Sequence, residues 1–149
     1  MLRYVLIICC FIMMVSCGKD QLDKDIQLIE QFIIDNGLTN VQSNDDGLHY
    51  IISEAGGEEK PTIDDTVTVD YLGYYIDGES FDSSYERGAP LVSDLTNLIS
   101  GWRKGLTLFG KGGSGMLLIP SELGYGSNPP GSIRKNAVLI FEIELIDFE

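Results

Sequence analysis

Ten consecutive residues, Thr66–Tyr75, alternate so regularly that they fit only a strand with two unlike faces. Successive side chains of extended backbone point to opposite sides. Val67, Val69, Tyr71, Gly73 and Tyr75 therefore share one face, and Thr68, Asp70, Leu72 and Tyr74 the other. Asp77-Gly78 directly afterwards is a hairpin turn signal, so Glu79-Ser80-Phe81-Asp82 is expected to return as a partner strand. A second alternating run puts Ala137, Leu139, Phe141, Ile143 and Leu145 on one face, with Val138, Ile140, Glu142, Glu144 and Ile146 on the other. Residues 47–52 and 116–120 read as further strands.

Two segments carry helical signals instead. In residues 20–36, Leu22, Ile26, Ile29 and Ile33 recur at helical spacing with Phe32 beside them, and Asn36-Gly37 is a stop. This amphipathic helix is expected to pack against the domain that follows, a dimerisation face being the alternative. Residues 95–108 contain the other helical candidate, which includes the single Trp, at position 102. Residues 38–46 and 55–61 read as loops, 83–90 as a long surface excursion and the glycine-rich 110–115 as a flexible hairpin. Hairpin-linked strands with one central helix define an α+β class: an antiparallel sheet wrapped around a short helix, with an added N-terminal helix. A chain of 149 residues has room for one such domain and no second full one.

The amino terminus is of a different kind. Arg3 precedes an apolar run over 4–15, then Ser16-Cys17-Gly18, then abruptly polar sequence, the layout of a secretory signal. The run is shorter than the ~20 residues a membrane-crossing helix needs. Met14-Val15-Ser16-Cys17 resembles a bacterial lipobox, in which the cysteine is lipidated and becomes the new amino terminus. The expected organisation is a signal peptide at 1–16, a linker and amphipathic helix at 17–46, and a catalytic or binding domain at 47–149. Cys17 would then hold the chain at a membrane of the bacterial envelope, since each buried methylene of an attached chain adds about 0.8 kcal/mol of membrane affinity. An uncleaved apolar core helix is the alternative.

With Cys9 and Cys10 inside the discarded run, the body of the chain has no cysteine for a disulfide, a metal site or a thiol nucleophile. A net charge of −13 argues against nucleic acid as a partner, because Lys and Arg supply most of that affinity. The only histidine, His49, lies in a strand with no G-x-S-x-G elbow, so a hydrolase triad lacks a base. The glycines of 110–115 follow a helix and precede a strand, the reverse of a phosphate-binding loop. Asp64-Asp65 and Glu58-Glu59 lack the spacing of a calcium loop and read as solvated turns. No cofactor and no metal is implied.

What remains is a set of aromatics at strand and loop ends: Tyr71, Phe81, Trp102, Tyr125 and Phe141, with Asp82 the carboxylate beside them. Core packing would explain any one of them. Their motifs, however, come in a distinctive order: Val67-Thr68-Val69-Asp70-Tyr71-Leu72-Gly73, Gly78-Glu79-Ser80-Phe81-Asp82-Ser83-Ser84, Ile99-Ser100-Gly101-Trp102, Leu118-Ile119-Pro120-Ser121-Glu122-Leu123-Gly124-Tyr125-Gly126, and the run around Phe141. Residues 47–149 thereby resemble the FKBP-type peptidyl-prolyl isomerases. The resemblance implies that Trp102 floors a pocket walled by Tyr71, Phe81, Ile99 and Phe141, with Leu98 and Ile133 also against substrate. It implies that Tyr125 offers its hydroxyl to a substrate carbonyl, and that Asp82, paired with Arg87, faces the twisting amide. Proline-containing polypeptides are the implied partners, and macrolide-type inhibitor binding is left open.

Asp82 is expected to be a buried carboxylate held by Tyr71 and Arg87. Three positions depart from the family pattern. Asn97 stands where relatives often have a carboxylate, Leu91 where an aromatic is common, and Ser132-Ile133-Arg134-Lys135 where a proline-containing turn is usual. These bear on inhibitor affinity and substrate preference more than on fold. An isomerase, a weakly active or inactive proline-binding module of an envelope complex, and a helix-dimerised structural lipoprotein are the competing functions.

Overall fold

A computed structural model describes residues 16–149, with side chains from residue 19 onward. The expected signal peptide at 1–16 lies outside the described residues apart from the backbone of Ser16, and the side chain of Cys17 lies outside them too. The chain opens with helix α1 (Ser16–Asp35), followed by strands β1 (Gln42–Ser43), β2 (His49–Glu54), β3 (Thr66–Tyr75) and β4 (Ser80–Ser83). Then come a one-turn helix α2 (Ser84–Arg87), β5 (Leu91–Asp94), the short helix α3 (Ser100–Gly105), β6 (Gly113–Ile119) and β7 (Leu139–Phe148). Among the described residues, no helix is long and apolar enough to cross a membrane.

All seven described strands belong to one antiparallel sheet in the order β1-β2-β6-β7-β3-β4, with β5 also pairing β3. The alternation of β3 and β7 is realised as expected. Val67, Val69, Tyr71, Tyr75, Leu139, Phe141, Ile143 and Leu145 are all buried on one side. There they enclose a core with Leu95, Trp102, Leu106, Phe109, Leu117 and Ile119. On the other side Ile29 of α1 packs with Leu118 and Val138, flanked by Phe32, Ile33, Leu38 and Met116. The N-terminal helix thus lies on the back of the sheet, its apolar stripe completing a second small core.

Four segments differ in detail from the sequence reading, the shortest being β1, which falls within residues 38–46, read as a loop. The helical candidate within residues 95–108 is the six residues of α3, bracketed by 3-10 turns at Leu95–Asn97 and Leu106–Leu108. This short helix lies so close to the sheet that a Cβ on Gly101 would come within 2.6 Å of Ile119 and one on Gly105 within 2.5 Å of Leu117. Glycines weaken a helix but permit this approach. The second half of the expected flexible hairpin at 110–115 is strand, since β6 begins at Gly113, and a Cβ on Gly115 would meet the Ile51 carbonyl at 2.0 Å. Its glycines serve close strand contact rather than mobility. Finally, the surface excursion at 83–90 contains α2, and the next four residues form β5, paired with β3 from Thr66↔Asp94 to Val69↔Leu91.

Candidate functional site

The curved face of the sheet and α3 leave between them an open cavity of about 410 Å³, lined by Tyr71, Phe81, Asp82, Leu91, Asn97, Leu98, Ile99, Trp102, Tyr125, Ile133 and Phe141. Ten of the expected site residues concern this region, and nine of them line the cavity; Arg87 stands outside it, behind Asp82. Leu91 and Asn97, two of the departing positions, are wall residues as well.

The walls are held by ring packing. Trp102 meets Tyr71 at 5.0 Å and Phe141 at 5.1 Å between centroids, each nearly perpendicular, and Phe81 meets Phe141 edge-on at 5.5 Å. Edge-to-face pairs of this kind contribute about 0.5–1.5 kcal/mol each beyond burial and fix ring tilt. They arise because β3 and β7 are directly paired, with Gly73 opposite Phe141 and Tyr71 opposite Ile143, so inward side chains of the two strands stand side by side. The floor is Trp102, whose buried Nε1 has no hydrogen-bond partner among the described residues.

One rim is polar. The Tyr71 hydroxyl donates to Asp82, the Arg87 guanidinium pairs with the other Asp82 oxygen, and Arg87 also donates to the Tyr71 hydroxyl at 3.0 Å. Burial, followed by the Asp82 carboxylate, pushes the Tyr71 phenol up to about 12, so it remains a neutral donor near neutral pH. Contrary to expectation, Asp82 is not buried, its side chain being 45% exposed. It sits on the edge strand β4 with one side towards the cavity and the other towards solvent and Arg87, which spares it most of the desolvation cost of an enclosed charge.

Tyr125 also lines the cavity, with its phenol raised by burial, then by the negative charge of Asp82. The departing segment at 132–135 is tied down by Arg134. Its guanidinium donates to Asp77 at 2.6 Å and to Glu79 at 2.5 Å, and lies 4.1 Å from the Tyr75 ring centre. The Arg134 backbone N–H donates to the Tyr75 hydroxyl at 3.2 Å. This clamp holds Ile133 over the cavity by joining its loop to the β3–β4 turn.

Sequence reasoning overlooked Ser84. Along one edge of β3, β5 pairs as far as Val69 and β4 begins at Leu72, leaving Tyr71 between them without a strand partner on that side. The buried Ser84 hydroxyl fills the gap, accepting from the Tyr71 backbone N–H at 2.9 Å and donating to Asp70 at 2.7 Å. Nothing in a polar Ser83-Ser84 pair marks this role.

An antiparallel sheet bent over a short helix thus carries an aromatic bowl with a single carboxylate among its lining residues. The family model for FKBP-type peptidyl-prolyl cis-trans isomerases matches residues 57–146, and the chain belongs to that family. FKBP-type peptidyl-prolyl cis-trans isomerase FkpA of Escherichia coli (strain K12) is 44% identical over 132 residues, 87% of this chain and 48% of that protein. The crystal structure of Escherichia coli FkpA superimposes with a TM-score of 0.78 at 40% identity, covering 89% of this chain and 62% of the other. A peptidyl-prolyl cis-trans isomerase of Pseudomonas syringae pv. tomato superimposes with a TM-score of 0.72 at 29% identity, covering 90% and 97%. The chain spans about half the length of the FkpA relatives it matches.

Proposed function

We propose that this chain is a peptidyl-prolyl cis-trans isomerase that accelerates X-Pro bond rotation in exported or envelope polypeptides. The observation that carries the reading is the aromatic cavity itself, floored by Trp102 and walled by Tyr71, Phe81 and Phe141, with Asp82 at its rim.

The chemistry asked of such a site is modest. Rotation about the amide is opposed by resonance, with a barrier of about 18–20 kcal/mol. A prolyl ring seated on Trp102 carries its preceding amide out of water, which weakens the charge-separated resonance that keeps the amide planar and so lowers the barrier to the twisted state. Tyr125 is the donor for a substrate carbonyl, and Asp82, oriented by Tyr71 and Arg87, is the charge facing the rotating bond. Leu98, Ile99 and Ile133 enclose the flanking side chains. No nucleophile takes part.

The deciding measurement is the cis-to-trans rate of a short Leu-Pro or Phe-Pro peptide with the purified chain. Acceleration is expected, with Phe81→Ala abolishing most of it and Asp82→Ala reducing it at least about tenfold. A folded chain that leaves the rate unchanged would refute the activity, and unchanged turnover in Asp82→Ala would refute the role of that carboxylate.

In this reading Cys17 carries the lipid that keeps the domain at an envelope membrane, a view supported by the apolar run before it and the small residue at Ser16. Incorporation of labelled palmitate into the chain, and its loss in Cys17→Ser, is the expected result; no incorporation would remove the anchor from the proposal.

A further inference from the structure

We infer that Asp25, on α1 behind the sheet, is a positioning residue for Tyr125, acting through Ser121. Asp25 is the one charged side chain of the described core that is wholly enclosed, at 0% exposure. A carboxylate in such a place is costly unless its oxygens are fully used. Here they are: one accepts the Ser121 backbone N–H at 2.8 Å and the Ser121 hydroxyl at 2.6 Å, and the other accepts from Gln21 at 2.7 Å.

Ser121 is itself buried and is the hub of the loop that carries Tyr125. Its carbonyl accepts from Gly124 N–H at 3.0 Å and Gly126 N–H at 2.9 Å, the two residues flanking Tyr125. Gly126 in turn accepts from Asn136 N–H at 2.9 Å, which closes the segment holding Ile133 and Arg134. The path is therefore continuous: Asp25 fixes both donors of Ser121, Ser121 fixes the backbone on either side of Tyr125, and the closed loop sets where the Tyr125 ring enters the cavity. Two residues 96 apart in sequence are joined, and the helix behind the sheet reaches the loop that carries Tyr125. The stripe that faces the domain explains the choice of residue. Asp25 lies one turn before Ile29 and one turn after its partner Gln21, beside the apolar Leu22 and Ile26, so it is delivered to the interface by the same packing that buries Ile29.

The kinetic part of the inference rests on the isomerase reading, whereas its structural part does not, and the test uses both. Asp25→Ala, Asp25→Asn and Ser121→Ala are made in the full chain and followed by amide hydrogen exchange and by turnover of a prolyl peptide. In Asp25→Ala the Gly124, Gly126 and Asn136 amides are expected to exchange at least about tenfold faster, while those of Tyr71 and Phe141 keep their rates. The ratio kcat/KM is expected to fall about tenfold, as for a reacting group displaced by a fraction of an ångström. Asp25→Asn keeps the shape and an acceptor oxygen and should restore most of both. Repeated in Tyr125→Phe, the Asp25→Ala change should cost less than about twofold, since the hydroxyl it positions is already gone. Unchanged exchange at Gly124 and Gly126, acceleration spread evenly over β3 and β7, or an equal loss in Tyr125→Phe would each overturn the assignment. If Asp25→Ala does not fold, Ser121→Ala, which leaves the helix intact, must show the same localised exchange or the assignment falls. A wild-type chain without turnover would refute the isomerase reading, and the exchange data would still decide the role of Asp25.

Discussion

The two faces of β7 are built from neighbouring residues and obey opposite demands. Leu139, Phe141, Ile143 and Leu145 look onto the large core, where Phe141 ends at a cavity left open. Val138 and Ile140 look the other way and are buried behind the sheet, Val138 against the α1 cluster, while Glu142 and Glu144 farther along the same face stay exposed. The front is therefore rigid without being full, because rings propped edge to face resist collapse into the space between them. The back is full only where α1 reaches. A strand can supply a binding surface and a docking surface together because its side-chain period keeps the two sets apart.

This contrast can be broken most forcefully at Phe141. Replacing it by Ala removes a ring that touches Tyr71, Phe81 and Trp102, and should lower stability by about 3–5 kcal/mol and abolish most prolyl-peptide turnover. Denaturant unfolding and the peptide assay check it, and retained turnover would mean the front face is not the site. Next in size is Ile29→Ala on the back. A cost of about 2–5 kcal/mol is expected, with the folded fraction losing clearly less turnover than the Asp25→Ala chain, because Asp25 keeps its bonds to Ser121 and Gln21. A parallel fall in activity would show that the faces are not separable by packing alone. The smallest effect is expected at Arg134→Met. Its partners Asp77 and Glu79 are more than half exposed, so stability should change by less than about 1 kcal/mol. KM for a prolyl peptide should rise about threefold, and the wild-type KM should drift the same way as salt is added, since exposed ion pairs are screened. A salt-independent KM would remove the clamp from the account of specificity.

How much of this could be read from the chain follows the same division. The regular period of Thr66–Tyr75 and of the Phe141 strand announced two central strands, because both bury one face against a core and the hydrophobic pattern fixes register. The aromatic wall was legible through its motifs. The short helix within residues 95–108 was legible, but its bounds were not, because spacing does not reveal the close approach of Gly101 and Gly105 to β6. The strand β5 is only four residues long and acquires its identity from Thr66–Val69, more than twenty positions away. The exposure of Asp82 also depended on a partner, since its place on an edge strand is a property of the sheet. Asp25 did leave a trace, as a charge next to an apolar stripe, but its acceptor role becomes visible only with Ser121 beside it.

The strand order also governs when the fold can come into being. β7, last of the strands along the chain, lies between β6 and β3 in the middle of the sheet. Until it is available, the β2–β6 pair and the β3–β4–β5 group have no ladder joining them, and contacts that distant in sequence are slow to form. During synthesis the earlier strands must wait with open edges, vulnerable to mispairing, for the segment that brings Phe141. Assembly and the completion of the aromatic wall thus coincide in one late event, and a nascent chain halted before that strand would have neither a closed sheet nor a complete cavity.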